Sequence, residues 1–403
     1  MTDLERALRY IINGSATLSK RPSAFPSGVG GFAVRGEGAY LITSDGRKLL
    51  DWMGSLGATP LGYSHPKILE AVTAQLRAGV IFSFPHVLEA RVAEQLCAVI
   101  PCAEMIKTVK TGSEACSAAV SIARAAPGRD VILCDDIGYH GWHDAFRVLA
   151  TTHPGVPDGM SAFVRPFVYG DDPAGFGWSG VAAVILEPAR MRKPPDGWLA
   201  RLVDEAHAHG ALVIFDEMIM GGHHALAGGQ EFFGVVPDIG AFGKAFGAGL
   251  PLGFVAASRD LMKHSWVVSG TFSSDALALA ACEAMLAVYR DEDVIARLWR
   301  NGGALESTLR CYGDVFDVLG YAPHLSIKFK DNHRLAVSVF VQGCAKHGIL
   351  FHPGVINASA AMSDTQVLET CGAVDAVLDQ MKGADLAAIL DGEMYQDSVR
   401  RIV

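Results

Sequence analysis

Two residues of this chain have the types and surroundings that imine chemistry requires. Lys244 stands among small and apolar residues in the range 239–251. An ammonium group buried there loses hydration, which lowers its pKa and makes the neutral amine available to an aldehyde. Asp216 directly follows the apolar run 212–215, so its carboxylate would stand at the end of a buried strand. The alternatives are a surface lysine with a partly covered stem, and a helix cap or a structural ion pair at Asp216.

The same two residues also suggest a nucleotide-binding site, in which Asp216 would end a Walker B strand. Such a site needs the Walker A loop G-x-x-x-x-G-K-[ST]. The only Gly-Lys pair is Gly243-Lys244, and Asp238 stands where the first glycine should be. Ala245 replaces the hydroxyl residue that would hold magnesium. We therefore set the Walker-type hypothesis aside.

Three further places follow apolar runs and carry groups that could bind a ligand. The turn Thr111-Gly112-Ser113 precedes a helical pattern, so its N–H groups and the Ser113 hydroxyl could hold an anion, or could form an ordinary helix cap. The aromatic segment 139–143 could stack on a planar ring, or simply pack its own loop. Glu187 offers another carboxylate at a strand end, with an ion pair as the simpler interpretation.

Short apolar runs that alternate with helical patterns position these groups. The strand-like runs are 106–109, 131–134, 181–186, 212–215 and 254–257, and the clearest helical patterns are 114–126 and 199–209. Such alternation predicts an α/β fold, with a largely parallel sheet covered by helices on both faces. Ligands of these sheets bind beyond the carboxyl ends of the strands, where the groups above lie.

The two ends of the chain follow a different pattern. Near the amino end, two strand-like runs, 38–42 and 48–51, flank the turn Ser44-Asp45-Gly46 and predict an antiparallel hairpin. After about residue 286, long helical stretches with a few strand-like segments predict a second, α+β lobe. We therefore predict three parts: an N-terminal segment 1–55 that contributes to a small domain, a large ligand-binding domain 56–287, and a C-terminal small domain 288–403.

Composition narrows the classes of partner and location. The chain has 403 residues, of which half are hydrophobic, and a net charge of -9. It lacks the clustered Lys and Arg that phosphate backbones require, so nucleic acid is not an expected partner. The first twenty residues have no signal-peptide core, and the weakly polar stretch 245–258 is shorter than the roughly 20 residues that span a bilayer. We expect a soluble cytoplasmic protein with no membrane association.

Cysteine and histidine spacing gives no sign of a metal site. The eight cysteines are scattered and form no C-x-x-C pair, which favours reduced thiols. His140/His143 and His223/His224 do not belong to an H-E-x-x-H helix and have no acidic ligand at zinc-site spacing. We expect no bound metal.

Together, these features resemble the class III (ω-type) aminotransferases of pyridoxal-5'-phosphate (PLP) fold type I, in the branch similar to glutamate-1-semialdehyde aminotransferases. The resemblance covers nearly the whole chain, and the order and spacing of its motifs are highly specific. The motifs are GEGAYL (36–41), LGYSHP (61–66), TGSEA (111–115), YHGWHD (139–144), ILEP (185–188), IFDE (214–217), GGQEFFGVVPDIGAFGK (228–244), GLPLG (249–253), GTFSSDALALAA (270–281) and GILFHPG (348–354). It implies a large domain with a mostly parallel, seven-stranded sheet and a smaller α+β domain.

The resemblance assigns the catalytic and phosphate-binding roles to particular residues. Lys244 would hold PLP as a Schiff base and carry protons between the substrate carbon and the cofactor. Asp216 would pair with the pyridine nitrogen and keep it protonated, so that the ring accepts carbanion electrons. Gly112 and Ser113 would hold the phosphate.

The remaining cofactor contacts implied by the resemblance surround the ring and reach a second subunit. Tyr139 would stack on one ring face beside His140, and Met218 would pack against the other face. Thr271 would bind the phosphate held by the neighbouring subunit, which implies a homodimer with shared active sites.

Two departures from the family pattern concern the substrate. The stretch D-E-V-I-T-G-F-R often follows the strand in such proteins, but here Gly222 and His223 replace the aromatic residue and the arginine. The usual G-N-P after the phosphate threonine is replaced by 273–275, Ser-Ser-Asp. We name Glu187 and His223 as candidate substrate residues.

The resemblance leaves three functions to compare. The leading one is a transaminase that moves an amino group from a donor such as L-glutamate to a carbonyl acceptor, by analogy a sugar or a natural-product intermediate. The second is a glutamate-1-semialdehyde 2,1-aminomutase, which the segment 18–25 disfavours because it differs from the expected arginine-bearing stretch. The third is a catalytically silent PLP-fold binding protein, which has no chemical need for Lys244, Asp216 and the phosphate residues together.

Overall fold

The computed structural model of the protein describes residues 1–136, 138–149, 155–189 and 191–397. The chain divides into two compact units. We call Pro66–Ile295 the larger unit, and Met1–His65 together with Ala296–Val403 the smaller unit. The limits predicted from the sequence, 55/56 and 287/288, each lie several residues before these positions.

The elements of each unit follow in chain order. The amino-terminal part of the smaller unit contains α1 Asp3–Tyr10, β1 Ala33–Glu37, β2 Tyr40–Thr43, β3 Lys48–Asp51 and α2 Gly54–Gly57. The strands of the larger unit are β4 Met105–Val109, β5 Val131–Asp135, β6 Val164–Phe167, β7 Val181–Leu186, β8 Leu212–Asp216, β9 Ile239–Phe242 and β10 Gly253–Ala257. Its helices are α3 Pro66–Ala78, α4 Val87–Val99, α5 Gly112–Ala125, α6 Asp144–Arg147, α7 Trp198–Ala208, α8 Gly229–Phe233, α9 Arg259–Met262 and α10 Ala276–Asp291.

The carboxyl-terminal part of the smaller unit contains both helices and short strands. They are α11 Val294–Arg310, β11 Phe316–Tyr321, β12 His324–Phe329, α12 His333–Lys346, β13 Ile349–Leu350, β14 Ile356–Asn357, α13 Asp364–Met381 and α14 Leu386–Ile389. Short stretches of 3-10 helix lie between the longer elements, at Ile12–Gly14, Leu18–Lys20, Pro22–Ala24, Asp158–Phe163, Pro173–Gly175, Lys244–Gly247 and Lys263–Ser265.

In the described part of the larger unit, seven strands form one sheet in the order β4-β10-β9-β8-β7-β5-β6. The pairs from β9 to β6 are parallel, and β10 is antiparallel to both β4 and β9. The prediction of an α/β fold with a mostly parallel, seven-stranded sheet is therefore confirmed.

Successive residues of a strand point to opposite sides of the sheet, so an apolar strand presents apolar side chains on both faces, and helices cover both. Ile185 and Ile214 pack in one cluster with residues of α5, such as Ile122. Val184 and Phe215 pack in another cluster with residues of α7, including Leu202. Strand β7 is buried along its whole length, which explains why its sequence is a continuous apolar run rather than an alternating one.

The sheet topology brings the ends of several strands to one edge. Because β5, β7, β8 and β9 run in parallel, their carboxyl ends meet there, and β4 ends beside the start of β10, where Val109 pairs with Gly253. The residues that directly follow these strands therefore share one region, as the sequence predicts.

The smaller unit carries the predicted amino-terminal hairpin. Strands β2 and β3 pair antiparallel, with Tyr40 opposite Leu50. They belong to a sheet of order β1-β2-β3-β13, and a second sheet has the order β11-β12-β14. Helix α10 packs against α3 and α4, which explains why residues up to Ile295 remain with the larger unit. Among the described helices, none combines the length and the apolar character that crossing a bilayer requires.

Candidate active site

The turn Thr111-Gly112-Ser113, for which the sequence allows an anion site or an ordinary helix cap, lies at the start of α5. We call it the α5 turn. Thr111 caps the helix, since its Oγ1 accepts the N–H of Glu114 (3.2 Å) and Glu114 Oε2 accepts the N–H of Thr111 (2.9 Å). The first N–H groups of a helix have no acceptor within it, so those of Gly112 and Ser113 are directed away from the helix start. This turn is a site suited to a phosphate.

The predicted aromatic loop lies directly against this turn. The N–H of Trp142 donates to Ser113 Oγ (3.3 Å), and a Cβ atom on Gly141, whose φ is 109°, would lie only 2.4 Å from that oxygen. On the other side, the N–H of Tyr139 donates to Glu187 Oε1 (2.9 Å). The loop that carries Tyr139 is thus held between the start of α5 and the carboxylate that follows β7.

Met218 lies between the α5 turn and the residue before Lys244. A Cβ atom on Gly112 would approach Met218 Sδ to 2.9 Å, and one on Gly243 would approach it to 2.8 Å. Met218 is buried. Glycine at both positions therefore lets the methionine side chain occupy the space between the two segments, where the sequence predicts a ring contact.

Asp216 ends β8 and is one of three buried groups joined by hydrogen bonds. Its Oδ2 lies 2.7 Å from Nδ1 of His140, and its Oδ1 accepts the N–H of Met218 at 3.1 Å. The other ring nitrogen of His140, Nε2, lies 2.9 Å from Oδ1 of Asp135. All three residues are 2 % exposed. The sequence indicates His140 as a cofactor neighbour, and the structure shows its ring in contact with the Asp216 carboxylate.

The surroundings of His140 favour its charged form. Burial by itself lowers the pKa of His140, but the neighbouring Cys134 and the hydrogen-bonded carboxylates of Asp135 and Asp216 outweigh it and hold the pKa well above its usual value. Burial also raises the pKa of Asp135, against the hydrogen bond from His140. We therefore describe His140 as an imidazolium that donates to both carboxylates, since a neutral imidazole has only one N–H.

Two cysteines adjoin the same histidine and create groups of potential metal ligands. Cys116 with His140 and Asp216, and Cys134 with Asp135 and His140, place their ligand atoms close together. Metal binding needs thiolates, but burial raises the pKa of both thiols, and the Cys116 Sγ donates to Asp216 Oδ2 (3.4 Å). With both nitrogens of His140 engaged by carboxylates, these clusters act as a hydrogen-bonded network.

Lys244 follows β9 across Gly243 and begins the 3-10 turn Lys244–Gly247. Its φ is 47°, in the left-handed region that residues with a Cβ rarely adopt. Such a conformation costs about 1–3 kcal/mol and is concentrated at functional sites. The backbone strain and the half-buried side chain distinguish Lys244 from an ordinary surface lysine.

His223 lies close enough to Lys244 for the two side chains to interact electrostatically. The ring is 1 % exposed, and its Nδ1 lies 3.3 Å from the carbonyl oxygen of Gly221. Among the residues that the structure describes, nothing hydrogen-bonds to its Nε2. Burial, and then the charge of Lys244, lower the pKa of His223 to about 4. A neutral imidazole with a buried, unsatisfied nitrogen beside Lys244 is suited to contact a ligand.

The lowered pKa of His223 predicts an acid-sensitive contribution to stability. The folded state holds His223 neutral down to about pH 4, whereas the unfolded chain protonates it near 6.5. Neutral His223 therefore contributes its full share to the free energy of unfolding above pH 6.5. As the pH falls below this value, the free energy of unfolding decreases, by about 3 kcal/mol at pH 4. We expect the free energy of unfolding of His223→Gln, measured by urea denaturation from pH 7.5 to 4, to lack this component. The exposed His347→Gln variant should follow the wild type, and an unchanged slope in His223→Gln would contradict the assignment.

Glu217 is a buried group whose role the sequence does not reveal. Its Oε2 accepts the N–H of Gly229 (2.6 Å) and its Oε1 accepts the N–H of Gln230 (3.0 Å), so it caps the start of α8. Burial raises the pKa of Glu217 to about 7. The pair Gly228-Gly229 was the available signal, because a Cβ atom on Gly228 would lie 2.2 Å from Glu217 Oε2.

Thr271 lies in an exposed turn just before α10. An ion pair between Asp275 and Lys110, the residue before the α5 turn, connects the two turns, and Asp275 also caps α10. The structure thus places the other predicted cofactor residues around the carboxyl edge of the sheet. The predicted contact of Thr271 with a second subunit remains a prediction.

Three comparisons relate the chain to known proteins. The family model "Aminotransferase class-III" matches residues 27–174 and 178–362. The chain is 35% identical over 306 residues to a glutamate-1-semialdehyde 2,1-aminomutase of Thermomicrobium roseum. The aligned region covers 69% of this chain and 71% of that protein. Two solved structures, each with a TM-score of 0.86 and 25% identity, are an omega-transaminase from Sphaerobacter thermophilus and the FumI protein of Sphingopyxis sp. MTA144 in a PLP form. The first covers 94% of this chain and 97% of that chain, and the second 96% and 99%. These likenesses confirm the fold that the sequence predicts.

Proposed function

Because this chain belongs to the class-III aminotransferase family, we propose that it moves an amino group from a donor such as L-glutamate to a carbonyl acceptor. It is a PLP-dependent transaminase by family, and its substrates are the proposed part. The observation that carries the proposal is the meeting of Lys244, Asp216 and the start of α5 at one edge of the larger unit's sheet.

The residues at this edge fit PLP, which supplies an aldehyde for amines and a ring that accepts electrons from the substrate carbon. The start of α5 presents N–H donors to a phosphate, and the close packing of Gly141 against Ser113 holds the aromatic loop beside these donors. Asp216 offers a buried carboxylate to a protonated ring nitrogen. The relative from Sphingopyxis, similar over nearly its whole length, was solved with PLP.

The residues that would contact PLP have separate tasks in this proposal. Lys244 would hold the aldehyde through Nζ and carry protons to and from the substrate at the same atom. Asp216 would keep a proton on the ring nitrogen through its carboxylate. Gly112 and Ser113 would hold the phosphate, and the position of Lys244 in a strained turn would keep Nζ fixed.

Four further side chains would surround the ring and the substrate. Tyr139, whose backbone Glu187 holds, would stack on one face, and Met218 would close the other. His223 would offer its buried Nε2 to the substrate, in place of the arginine of related proteins. Glu187 has a visible task in positioning Tyr139, and its contact with substrate is the less direct proposal.

We also propose a homodimer in which Thr271 reaches the phosphate of the neighbouring subunit. Several large apolar side chains near that turn are exposed, among them Phe272 and Trp266, which is 81 % exposed. The segment that carries Phe84, itself 84 % exposed, is joined to the same region by a hydrogen bond from Ala276 N–H to the Val80 carbonyl. Covering such side chains is a common reason for association.

The alternative function is that of a glutamate-1-semialdehyde 2,1-aminomutase. The observation that favours it is the 35% identity to a protein of that name. The N-terminal segment 18–25 and the replacement of arginine by His223 weigh against it. Both reactions use the same lysine and carboxylate, so their difference must lie in the substrate contacts.

Half-reactions of the purified, PLP-loaded protein test the proposal. We expect L-glutamate, or another amine from a donor panel, to change the visible absorbance of the cofactor and to release one equivalent of the corresponding oxo product. Carbonyl acceptors, including keto sugars, should then restore the spectrum. Formation of 5-aminolevulinate from glutamate-1-semialdehyde without a donor would instead establish the aminomutase. A protein that binds PLP but reacts with none of these would contradict both.

A further inference from the structure

A buried hydrogen-bond network of the larger unit joins Asp216 to Asp135 through His140. Both nitrogens of His140 face carboxylate oxygens, Asp216 Oδ2 at 2.7 Å and Asp135 Oδ1 at 2.9 Å. Two N–H···O bonds on one ring need a proton on each nitrogen, which is the charged form of His140 described above. The Nδ1–H of His140 is then directed at Asp216 and its Nε2–H at Asp135.

The backbone closes the Asp135 end of this network. A Cβ atom on Gly138 would lie 2.0 Å from Asp135 Oδ1 and 2.6 Å from His140 Nε2, so glycine is needed for the chain to pass over this hydrogen bond. The ring of Phe146 packs edge-on against His140, with centroids 5.5 Å apart. His140 therefore has a fixed ring position, with little room for water at Nε2.

The other titratable groups around the ring leave Asp135 as its second anionic partner. Cys116 on α5 and Cys134 on β5 are buried thiols whose pKa values burial raises. Glu187, after β7, acts on Asp135 through its charge. A histidine held by one carboxylate alone would have its second nitrogen unsatisfied in a buried site, which costs free energy and allows the ring to turn.

We propose that Asp135 is a positioning residue that anchors His140 Nε2, so that Nδ1–H is always presented to Asp216 and Asp216 keeps its orientation toward the cofactor ring nitrogen. The inference rests on the proposed function and deepens it. Asp135 acts through His140 and does not itself touch the cofactor. Its task requires hydrogen-bonding capacity at this position, which an asparagine also supplies.

Two variants of the PLP-loaded enzyme test the proposal. Asp135→Ala should lower the rate of the amino-donor half-reaction about tenfold. It should also make protonation of the ring nitrogen, measured by the ¹⁵N shift of labelled PLP, depend on pH between 6 and 9. Asp135→Asn should stay within about twofold of wild type in both measurements, because its amide donates to Nε2. Wild-type behaviour of Asp135→Ala, or equal damage in both variants, would overturn the proposal.

A second measurement covers the case in which Asp135→Ala does not fold. In ¹⁵N-histidine spectra, His140 should carry protons on both nitrogens in the wild type and on Nδ1 alone in Asp135→Asn. Loss of the Nδ1 proton in that variant would overturn the anchoring role, because the ring would no longer present Nδ1–H to Asp216. PLP binding, measured by absorbance, distinguishes this result from a failure of the proposed function. If neither the wild type nor any variant binds PLP, the proposed function itself is wrong.

Discussion

Replacing Lys244 with alanine is expected to lower the rate of amino-group transfer by about 10²–10⁴-fold, the range that one positioned acid–base group supplies. The variant loses both the amine that holds the cofactor aldehyde and the group that moves the substrate proton. Reduction with borohydride followed by mass spectrometry should therefore label wild-type protein at Lys244 and leave Lys244→Ala unlabelled. Single-turnover absorbance with the best amino donor measures the loss in rate.

The matched control for this variant is Lys263→Ala. Lys263 lies in the same unit, is exposed, and pairs with Asp260 on the surface, so its removal should leave labelling and rate within about twofold of wild type. A borohydride-stable adduct in Lys244→Ala would show that another amine holds the cofactor, and would remove the assignment of Lys244.

Replacing Asp216 with asparagine is expected to lower the same rate by about 10²–10³-fold, comparable to losing one electrostatic stabiliser of a transition state. The amide has nearly the same shape but no charge, so it cannot balance a protonated ring nitrogen. One of its two polar atoms must also face the Nδ1–H of His140, which Asp216 Oδ2 now accepts at 2.7 Å. The ¹⁵N shift of labelled PLP should show a ring nitrogen without its proton.

Asp204→Asn is the control for this substitution. Asp204 lies on the exposed side of α7, and its neutralisation should change neither rate nor spectrum. If Asp216→Asn kept the wild-type rate with a protonated ring nitrogen, Asp216 would not be the residue that charges the ring. A protein that loses PLP altogether would show that Asp216 acts chiefly in binding.

The strands could be predicted from the sequence because burial on both faces leaves a local trace. The run 181–186 contains only apolar residues, and β7 has the same limits. The start of α5 was less exact: the helical pattern suggests residue 114, but the helix begins at Gly112 because Thr111 and Glu114 cap each other. Strand β6 is short and contains Pro166, so no apolar run announces it.

The parts of the site that sequence reasoning missed depend on contacts between distant segments. Asp135 follows an apolar run, as Asp216 does, but nothing in its local sequence shows that His140 turns back to meet it. The hydrogen bond from Cys116 to Asp216 joins residues that are 100 positions apart. Glu217 directly follows Asp216 in the sequence, but its role as the cap of α8 depends on the fold of Gly229 and Gln230 around it.

The route by which the His140 network is assembled bears on how the chain folds. The hydrogen bond between His140 and Asp216 joins residues that are 76 positions apart, and β6 and β7 lie between them in the sequence. Contacts of such long range form slowly, since the entropy of closing the intervening chain must be overcome first. Capture of PLP by refolding protein should therefore lag behind the recovery of helical signal, and would mark the moment at which the central sheet is complete.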